Sequence, residues 1–167
     1  MQKDPKFSAL VAYFEQLARE HVKIQHSNQK KHFFRFELDE VLTGKAARMN
    51  YPAFILEGYR FDFIDRMSDN PVKVRHGAFI LAQHISDPGD YEYIHAVWDE
   101  LEEIADDILV RMKADKRNPA SPIRHFDIDT VEGTIIATEL GGLYGIRITY
   151  SVNCAFSFDV DKTKWIT

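Results

Sequence analysis

The strongest constraint on the fold is the alternation of apolar and polar residues through 143–158, LYGIRITYSVNCAFSF. A period of two over such a length predicts a β-strand with one buried side. At about 3.3 Å per residue this strand would span roughly 50 Å, so we expect it either to bend or to project beyond its own domain. Its apolar side is Tyr144, Ile146, Ile148, Tyr150, Val152, Cys154, Phe156 and Phe158, and its other side is Gly145, Arg147, Thr149, Ser151, Asn153, Ala155 and Ser157.

Two other segments repeat apolar residues at the three- and four-residue steps of an amphipathic helix. The first is 5–22, which follows the capping residue Asp4 and has Pro5 in its first turn. The second is 91–117, which ends at the helix breaker NPASP. The apolar stripe of this second helix is Ile94, Val97, Trp98, Leu101, Ile104, Ala105, Ile108, Leu109 and Met112.

The remaining apolar segments are predicted as shorter strands. Residues 33–44 begin with strand-like alternation and end with helix-like spacing, so we predict a short strand that runs into a helical turn. Residues 51–63 are predicted as one strand that starts near Pro52 and has a bulge at Gly58. Further strands are predicted at 72–85, 123–130 and 133–140, the last two alternatively forming one long bent strand.

The predicted order of elements is α-(β/α)-β-β-α-β-β. Adjacent strands with two main helices between them favour a single α+β domain over residues 1–167, with an antiparallel sheet packed against the two helices. A chain of 167 residues is long enough to bury one hydrophobic core.

Composition excludes several classes of protein. With 45% apolar and 28% charged residues the chain is typical of a globular domain, and its net charge of −5 argues against a dedicated nucleic-acid binder. Cys154 is the single cysteine, so no internal disulfide can form and a reducing compartment fits. The N-terminus lacks the pattern of a signal peptide and no apolar run is long enough to span a membrane, so we expect an intracellular, non-membrane protein.

The most acidic stretch, DELEEIADD at 99–107, lies on the second predicted helix. Asp99, Glu102, Glu103 and Asp106 fall opposite the apolar stripe, whereas a metal site in a helix bundle needs carboxylates that point inward. We therefore predict a solvated or partner-facing side, with an ion pair from Asp107 to Arg111 one turn later.

A second group of carboxylates, Asp127, Asp129 and Glu132, lies in the predicted strand region HFDIDTVEG. If the segment is a strand, the two aspartates point to the same side and could hold a divalent cation. This leaves open an alternative function, a small metal-dependent hydrolase or nuclease. The competing interpretation is edge charges that prevent stray strand pairing.

Other chemically reactive residues favour structural roles. His76 and His84 share one face of a strand but lie roughly 26 Å apart, too far to share a metal. Cys154 is on the apolar side of its strand and is predicted to be buried and inert. The rings of KKHFFRF, 30–36, are expected in the core, and His95 is expected to be partly buried. We predict no catalytic residue, no metal ligand and no cofactor.

The layout resembles small bacteriophage tail-completion and tail-terminator proteins of the head–tail junction. Four pieces carry the resemblance: the helix at 5–22, the strand that opens with Tyr51-Pro52, the strand VKVRHGAFILAQHI followed by the long helix YEYIHAVWDELEEIADDILVRM, and the closing strand pair that ends in GLYGIRITYSVNCAFSF. The chain departs from the family in a basic and aromatic segment at 23–50.

The resemblance implies a non-enzymatic α+β subunit that forms a ring, often a hexamer, and joins other tail or neck proteins. It would place the protein in the virion or the host cytoplasm. It would also explain a long final strand, because a projecting strand can pair with a neighbouring subunit. We therefore assign the polar side of that strand to the subunit interface, namely Arg147, Thr149, Ser151 and Asn153.

Overall fold

The computed structural model describes residues 6–35, 49–65, 71–138 and 142–166. The predicted helix start at Asp4-Pro5, the helical turn at the end of 33–44 and the last residues of the strand predicted at 133–140 lie outside these ranges.

Two long helices and six strands lie within the described residues. The helices are α1 (Phe7–Glu20) and α2 (Tyr91–Asp115). The strands are β1 (Phe33–Phe34), β2 (Ala53–Leu56), β3 (Arg60–Ile64), β4 (Val72–His84), β5 (Phe126–Thr138) and β6 (Leu143–Ala155), and a short 3₁₀ turn follows at Lys162–Lys164.

The six strands form one sheet in the order β1-β2-β4-β6-β5, with β3 also paired to β4. All neighbouring strands are antiparallel except β1 and β2, which are parallel. The α+β prediction is confirmed, with helices packed against a largely antiparallel sheet. The predicted single strand at 51–63 is wrong: β2 and β3 pair with successive halves of β4, and Gly58 lies in the break between them.

Both helices pack on the same side of the sheet, where they bury the main core. Phe14 of α1 is fully buried, and its ring lies 6.0 Å from that of Phe54, 5.9 Å from that of Phe79 and 5.4 Å from that of Tyr150. A smaller apolar cluster lies on the other side at one end of the sheet, formed by Met49, Ala53, Ile55, Ile80, Ala82 and Leu143.

The final strand β6 occupies the interior of the sheet. It pairs with β4 along Leu143–Ala155, and with β5 from Leu143 to Val152. The expectation that this strand projects from the domain and pairs with a neighbouring subunit is therefore wrong. Its length is matched by β4, which also has 13 residues, so its backbone is satisfied within its own chain.

In place of two strands predicted at 123–130 and 133–140, the structure has the single strand β5. This agrees with the alternative prediction of one long bent strand. A register shift between Asp127 and Glu132 interrupts its pairing with β6. Such a bulge bends a strand, which explains why the sequence pattern looked like two strands.

The acidic side of α2 is exposed, as predicted. The predicted Asp107–Arg111 pair is wrong, because the guanidinium of Arg111 lies 2.9 Å from Asp115 and 3.2 Å from Glu20 of α1. His95 is exposed rather than partly buried, and its ring stacks on Trp98. Within the part of the chain that the structure describes, no helix combines the length and apolar character that crossing a membrane requires.

Candidate interaction site on the open face of the sheet

The side of the sheet opposite the helices, here called the open face, carries a polar depression of about 780 Å³. It lies over the middle strands β4 and β6 and is bounded by β3 on one side and β5 on the other. Its lining residues are Gly58, Arg60, His76, Gly77, Ala78, Thr130, Glu132, Arg147, Thr149, Tyr150 and Ser151.

A chain of hydrogen bonds joins three adjacent strands at one end of the depression. The Nε2 atom of His76 lies 3.1 Å from Oδ2 of Asp62, and its Nδ1 atom lies 3.0 Å from Oγ of Ser151. These residues belong to β3, β4 and β6, so the imidazole ring ties the strands together across the open face.

The Asp62–His76–Ser151 chain contains the residue types of a hydrolase triad, but its geometry favours a structural role. Ser151 is only 6% exposed. Its backbone N–H donates to Oγ1 of Thr130 at 3.0 Å, so this N–H is not available to stabilise an oxyanion. The Tyr150 side chain, next to Ser151 in sequence, packs against Phe14 on the helix side of the sheet, and burial there raises its pKa. We infer that the chain braces the sheet.

An ion pair lies near the opposite end of the depression. Arg147 of β6 donates to Oε2 of Glu57 from both Nε, at 2.8 Å, and Nη2, at 2.7 Å. The Glu57 side chain is 6% exposed, whereas the Arg147 side chain is 38% exposed. The pair fixes the break between β2 and β3 against the central strand, so the wall of the depression is preorganised.

Three of the four predicted interface residues, Arg147, Thr149 and Ser151, line this depression. Asn153 lies on the same face further along β6, where it is opposite Val74. Sequence reasoning missed Glu57, Asp62 and Thr130, which complete the polar network. Only cross-strand register brings these residues together, and nothing in their local sequence signals it.

The three carboxylates of the alternative hydrolase hypothesis do not form a common site. The Asp127 side chain accepts the backbone N–H of Asp129 at 3.2 Å inside the β5 bulge, whereas Glu132 lies at the rim of the depression. Among the described residues, no group of three or more His, Cys, Asp or Glu side chains could hold a metal ion.

Besides the two-residue β1, the strands β3 and β5 each have one edge that no described strand pairs with, and these two edges lie at opposite sides of the sheet. In the part of the chain that the structure describes, β5 pairs only with β6, and β3 pairs only with β4. The straight part of β5, from Glu132 to Thr138, has the sequence EGTIIAT, with one charge and no proline. An unprotected edge of this kind is a template for pairing with another strand.

Exposed aromatic side chains continue from β3 onto the chain that follows β6. Phe61 is 52% exposed, Phe63 is 42% exposed and Phe158 is 60% exposed. The Phe63 ring centroid lies 5.9 Å from that of Phe61 and 4.9 Å from that of Phe156, so the rings form one cluster. Contiguous exposed aromatic surface of this kind is typical of an interaction site.

Comparisons with protein-family models and with curated proteins give no match to this chain.

Proposed function

We propose that this protein is a non-enzymatic structural subunit of a bacteriophage or a phage-tail-like particle, which forms a homo-oligomeric ring at the tail end or the head–tail junction. The observation that carries the proposal is the pair of open strand edges, β5 and β3, on opposite sides of one sheet in the described part of the chain. Two different edges on one subunit permit head-to-tail contacts, and these close into a ring when the rotation between subunits fits.

The two halves of the β5 edge support the proposal by their contrast. The first half contains a bulge and the carboxylates Asp127 and Asp129, which are devices that prevent strand pairing. The part after Glu132, from Gly133 to Thr138, contains no charged residue and no proline, and Ile135 is 58% exposed there. An edge protected in one half and left open in the other is consistent with a contact confined to the open half.

The order of elements supports the assignment to phage particles. The helix α1, the strand after Tyr51-Pro52, the strand β4 with the long helix α2, and the closing pair β5 and β6 occur in the layout that resembles tail-completion and tail-terminator proteins. The other subunits of such a tail or neck would be the partners of the ring. The hydrolase alternative has no comparable support, because its carboxylates do not converge.

The oligomeric state tests the proposal. Size-exclusion chromatography with light scattering over a wide range of concentrations, followed by negative-stain imaging, is expected to give a closed ring. Replacing Ile135 with Lys puts a charge on the open edge and is expected to yield monomers. The matched control is Val110→Lys, because Val110 is 70% exposed on α2 and lies away from both edges.

Two outcomes would contradict the proposal. One is a wild-type protein that stays monomeric at every concentration and forms no ring when mixed with assembled tail tubes. The other is an Ile135→Lys variant that assembles as well as Val110→Lys does.

A further inference from the structure

We propose that the C-terminal tail of one subunit, residues 156–166, adds a short antiparallel strand to the open half of β5 in the next copy. The tail then acts as an arm by which each subunit holds its neighbour in the ring. This inference rests on the proposed function, because it names the contact by which the copies associate.

The tail continues the sequence pattern of β6 without continuing its pairing. Phe156, Phe158 and Val160 alternate with polar residues in FSFDVD, as in a strand with one apolar side. The backbone N–H of Phe156 still donates to the carbonyl oxygen of Pro71, at 3.2 Å. In the described part of the chain, no backbone hydrogen bond joins residues 157–160 to another strand. Within that part, the tail therefore has the sequence of a strand but no partner strand.

The apolar side chains of the tail are largely exposed beyond its first residue. Phe156 is half-buried and anchors the tail, because its ring lies 4.9 Å from that of Phe63 on β3. Phe158 is 60% exposed and Val160 is 70% exposed. The open half of β5 has a matching feature, since Ile135 is 58% exposed. Pairing the two segments removes apolar surface from water on both of them.

A subunit cannot reach the open half of its own β5 with its own tail. Register places Ile135 opposite Ile146. The strand β6 continues for nine residues from Ile146 to its end at Ala155, a distance of about 30 Å. The five residues from Ala155 to Val160 span at most about 18 Å. Pairing between the tail and the open half of β5 must therefore join two copies.

The ends of the sheet fix how the two copies lie. The tail leaves β6 at the end of the sheet where Ala155 pairs with Val72, whereas the open half of β5 extends to the opposite end, where Thr138 pairs with Leu143. The two copies are therefore offset along the strands, and the ring axis crosses the strands. The tail continues the direction of β6, and β5 runs antiparallel to β6, so the tail meets β5 of the following copy in the antiparallel sense.

The order of charges along the two segments favours the same antiparallel sense. The tail begins with FSF and ends with the lysines of the Lys162–Lys164 turn, whereas β5 is acidic up to Glu132 and has no charge after it. With Val160 opposite Ile135, antiparallel pairing places this turn beside the exposed Glu132, where cations and an anion attract. Parallel pairing would place the turn beside Thr138, away from that carboxylate.

The two aspartates of the tail are compatible with this arrangement. The Oγ atom of Ser157 donates to the Asp159 carboxylate at 2.8 Å. The Asp161 carboxylate accepts the hydroxyl of Thr163 at 2.6 Å and pairs with Lys164 at 3.0 Å. Both carboxylates therefore have partners within the tail, and in the proposed register both fall on the polar open face of the joined sheet.

The apolar side chains of the two segments meet on the helix side. Ile135 faces that side because it lies opposite Ile146, whose side chain belongs to the main core. Val160 placed beside Ile135 forms a cross-strand pair of β-branched residues, which stabilises an antiparallel strand pair. Phe158, two residues earlier, falls on the same side beside Ala137.

Substitutions in the full chain test the contact through the oligomeric state. Val160→Lys places a charge opposite Ile135 and is expected to convert rings into monomers. The matched control is Ile166→Lys, in the same tail but beyond the paired residues and fully exposed; it is expected to keep the rings. Combining Val160→Lys with Ile135→Asp puts opposite charges across the strand pair and is expected to restore rings that each single variant loses.

Disulfide cross-linking tests which residues meet. In a Cys154→Ser background, a Val160→Cys variant mixed with an Ile135→Cys variant is expected to give a cross-linked dimer, and neither variant alone should do so. The variant that carries both cysteines is expected to give a ladder on a denaturing gel, ending at a closed species whose size reports the number of subunits. Val110→Cys mixed with Ile135→Cys gives the background from random collision.

The failure of this contact is distinguishable from the failure of ring assembly. If the variants elute as closed rings but Val160→Cys does not cross-link to Ile135→Cys above background, the tail contact is overturned and the ring remains. A Val160→Lys variant that assembles as well as Ile166→Lys overturns it too, and this measurement keeps Cys154, so it decides even if Cys154→Ser weakens the fold. Variants and wild type that are all monomeric overturn both proposals.

Discussion

Arg147 and Glu57 are 90 positions apart in the chain, yet the guanidinium donates twice to one carboxylate oxygen, at 2.8 and 2.7 Å. The carboxylate is buried in the break between β2 and β3, whose backbone is also held to β4 by a hydrogen bond from Glu57 to Ala78. The pair therefore joins the most irregular part of the sheet to its central strand.

Replacing Arg147 with Met is expected to destabilise the fold, because it leaves the Glu57 carboxylate buried without its partner. Removing one partner of a fully buried ion pair lowers the free energy of unfolding by about 3–5 kcal/mol. Because the Arg147 side chain is 38% exposed, we expect a smaller loss here, of about 2 kcal/mol. Urea unfolding of the monomer measures this change. Adding Glu57→Gln to Arg147→Met should recover part of the loss, and a double variant less stable than the single one would contradict this explanation.

Two glycines on neighbouring strands should differ in how much stability the protein loses when each is replaced with alanine. A Cβ on Gly145 would overlap the backbone carbonyl oxygen of Leu81, which cannot move without disturbing β4. We expect Gly145→Ala to cost about 3 kcal/mol, at the upper end of the overpacking range. A Cβ on Gly133 would meet only side-chain tips, those of Ile148 at 3.3 Å and Ile146 at 3.7 Å.

The matched variant Gly133→Ala is therefore expected to stay within about 1 kcal/mol of wild type. Chemical denaturation of both variants provides the comparison. Equal losses at the two positions would mean that close approach to the β4 backbone does not explain the glycine at 145.

Divalent cations are expected to leave the thermal stability unchanged. In the described residues Asp127 and Asp129 are engaged in the β5 bulge and do not converge with Glu132. A cation that binds only the folded state, at a free concentration about a hundred times its dissociation constant, would add about 2.7 kcal/mol to the free energy of unfolding. Thermal unfolding with Mg²⁺, Mn²⁺ or Ca²⁺ measures this, and the double variant Asp127→Asn, Asp129→Asn is the control. A cation that raises the unfolding temperature of the wild type but not that of the double variant would support the hydrolase alternative.

Local periodicity predicted the long elements because burial on one side leaves a repeating pattern. The helices α1 and α2 and the strands β4 and β6 were all recognised in this way, as was the burial of Cys154. The break at Gly58 was mistaken for a bulge within one strand, since two short strands in line along β4 leave the same alternating pattern as one long strand.

Pairing between distant strands could not be predicted in this way. The length of β6 suggested an outward projection, but the choice between pairing inside and outside the chain depends on how long β4 and β5 are and where they lie. The Asp62–His76–Ser151 chain was missed for the same reason, as its members come from three strands. For Arg111, the spacing rule allows Asp107 and Asp115 equally, and the structure has Asp115; the second partner, Glu20, was missed because it belongs to the other helix.

His26 lies in the turn after α1, where the structure requires its neutral form. Its Nδ1 atom accepts the backbone N–H groups of His32, at 3.0 Å, and Phe33, at 3.3 Å. The ring is buried. Burial and then the charge of Arg19 lower its pKa, while Glu15 opposes them. A proton on Nδ1 would displace both backbone donors at the start of β1.

Acidification is therefore expected to destabilise the protein through His26. An unfolded histidine has a pKa of about 6.5, and the folded value is lower, so below about pH 6.5 the unfolded chain binds more protons than the folded chain. The stability supplied by the neutral ring is present above that pH and is lost as the pH falls through the folded pKa. Carboxylates such as Glu15, whose pKa is also lowered from 4.5, act in a more acidic range.

The variant His26→Asn isolates this effect. The amide oxygen of Asn can accept the same two N–H groups but does not titrate, so the free energy of unfolding should fall less between pH 7.5 and 5 than it does in wild type. His125→Asn, at an exposed histidine, is the matched control and should keep the wild-type slope. Parallel slopes for wild type and His26→Asn would show that protonation of this ring does not oppose folding.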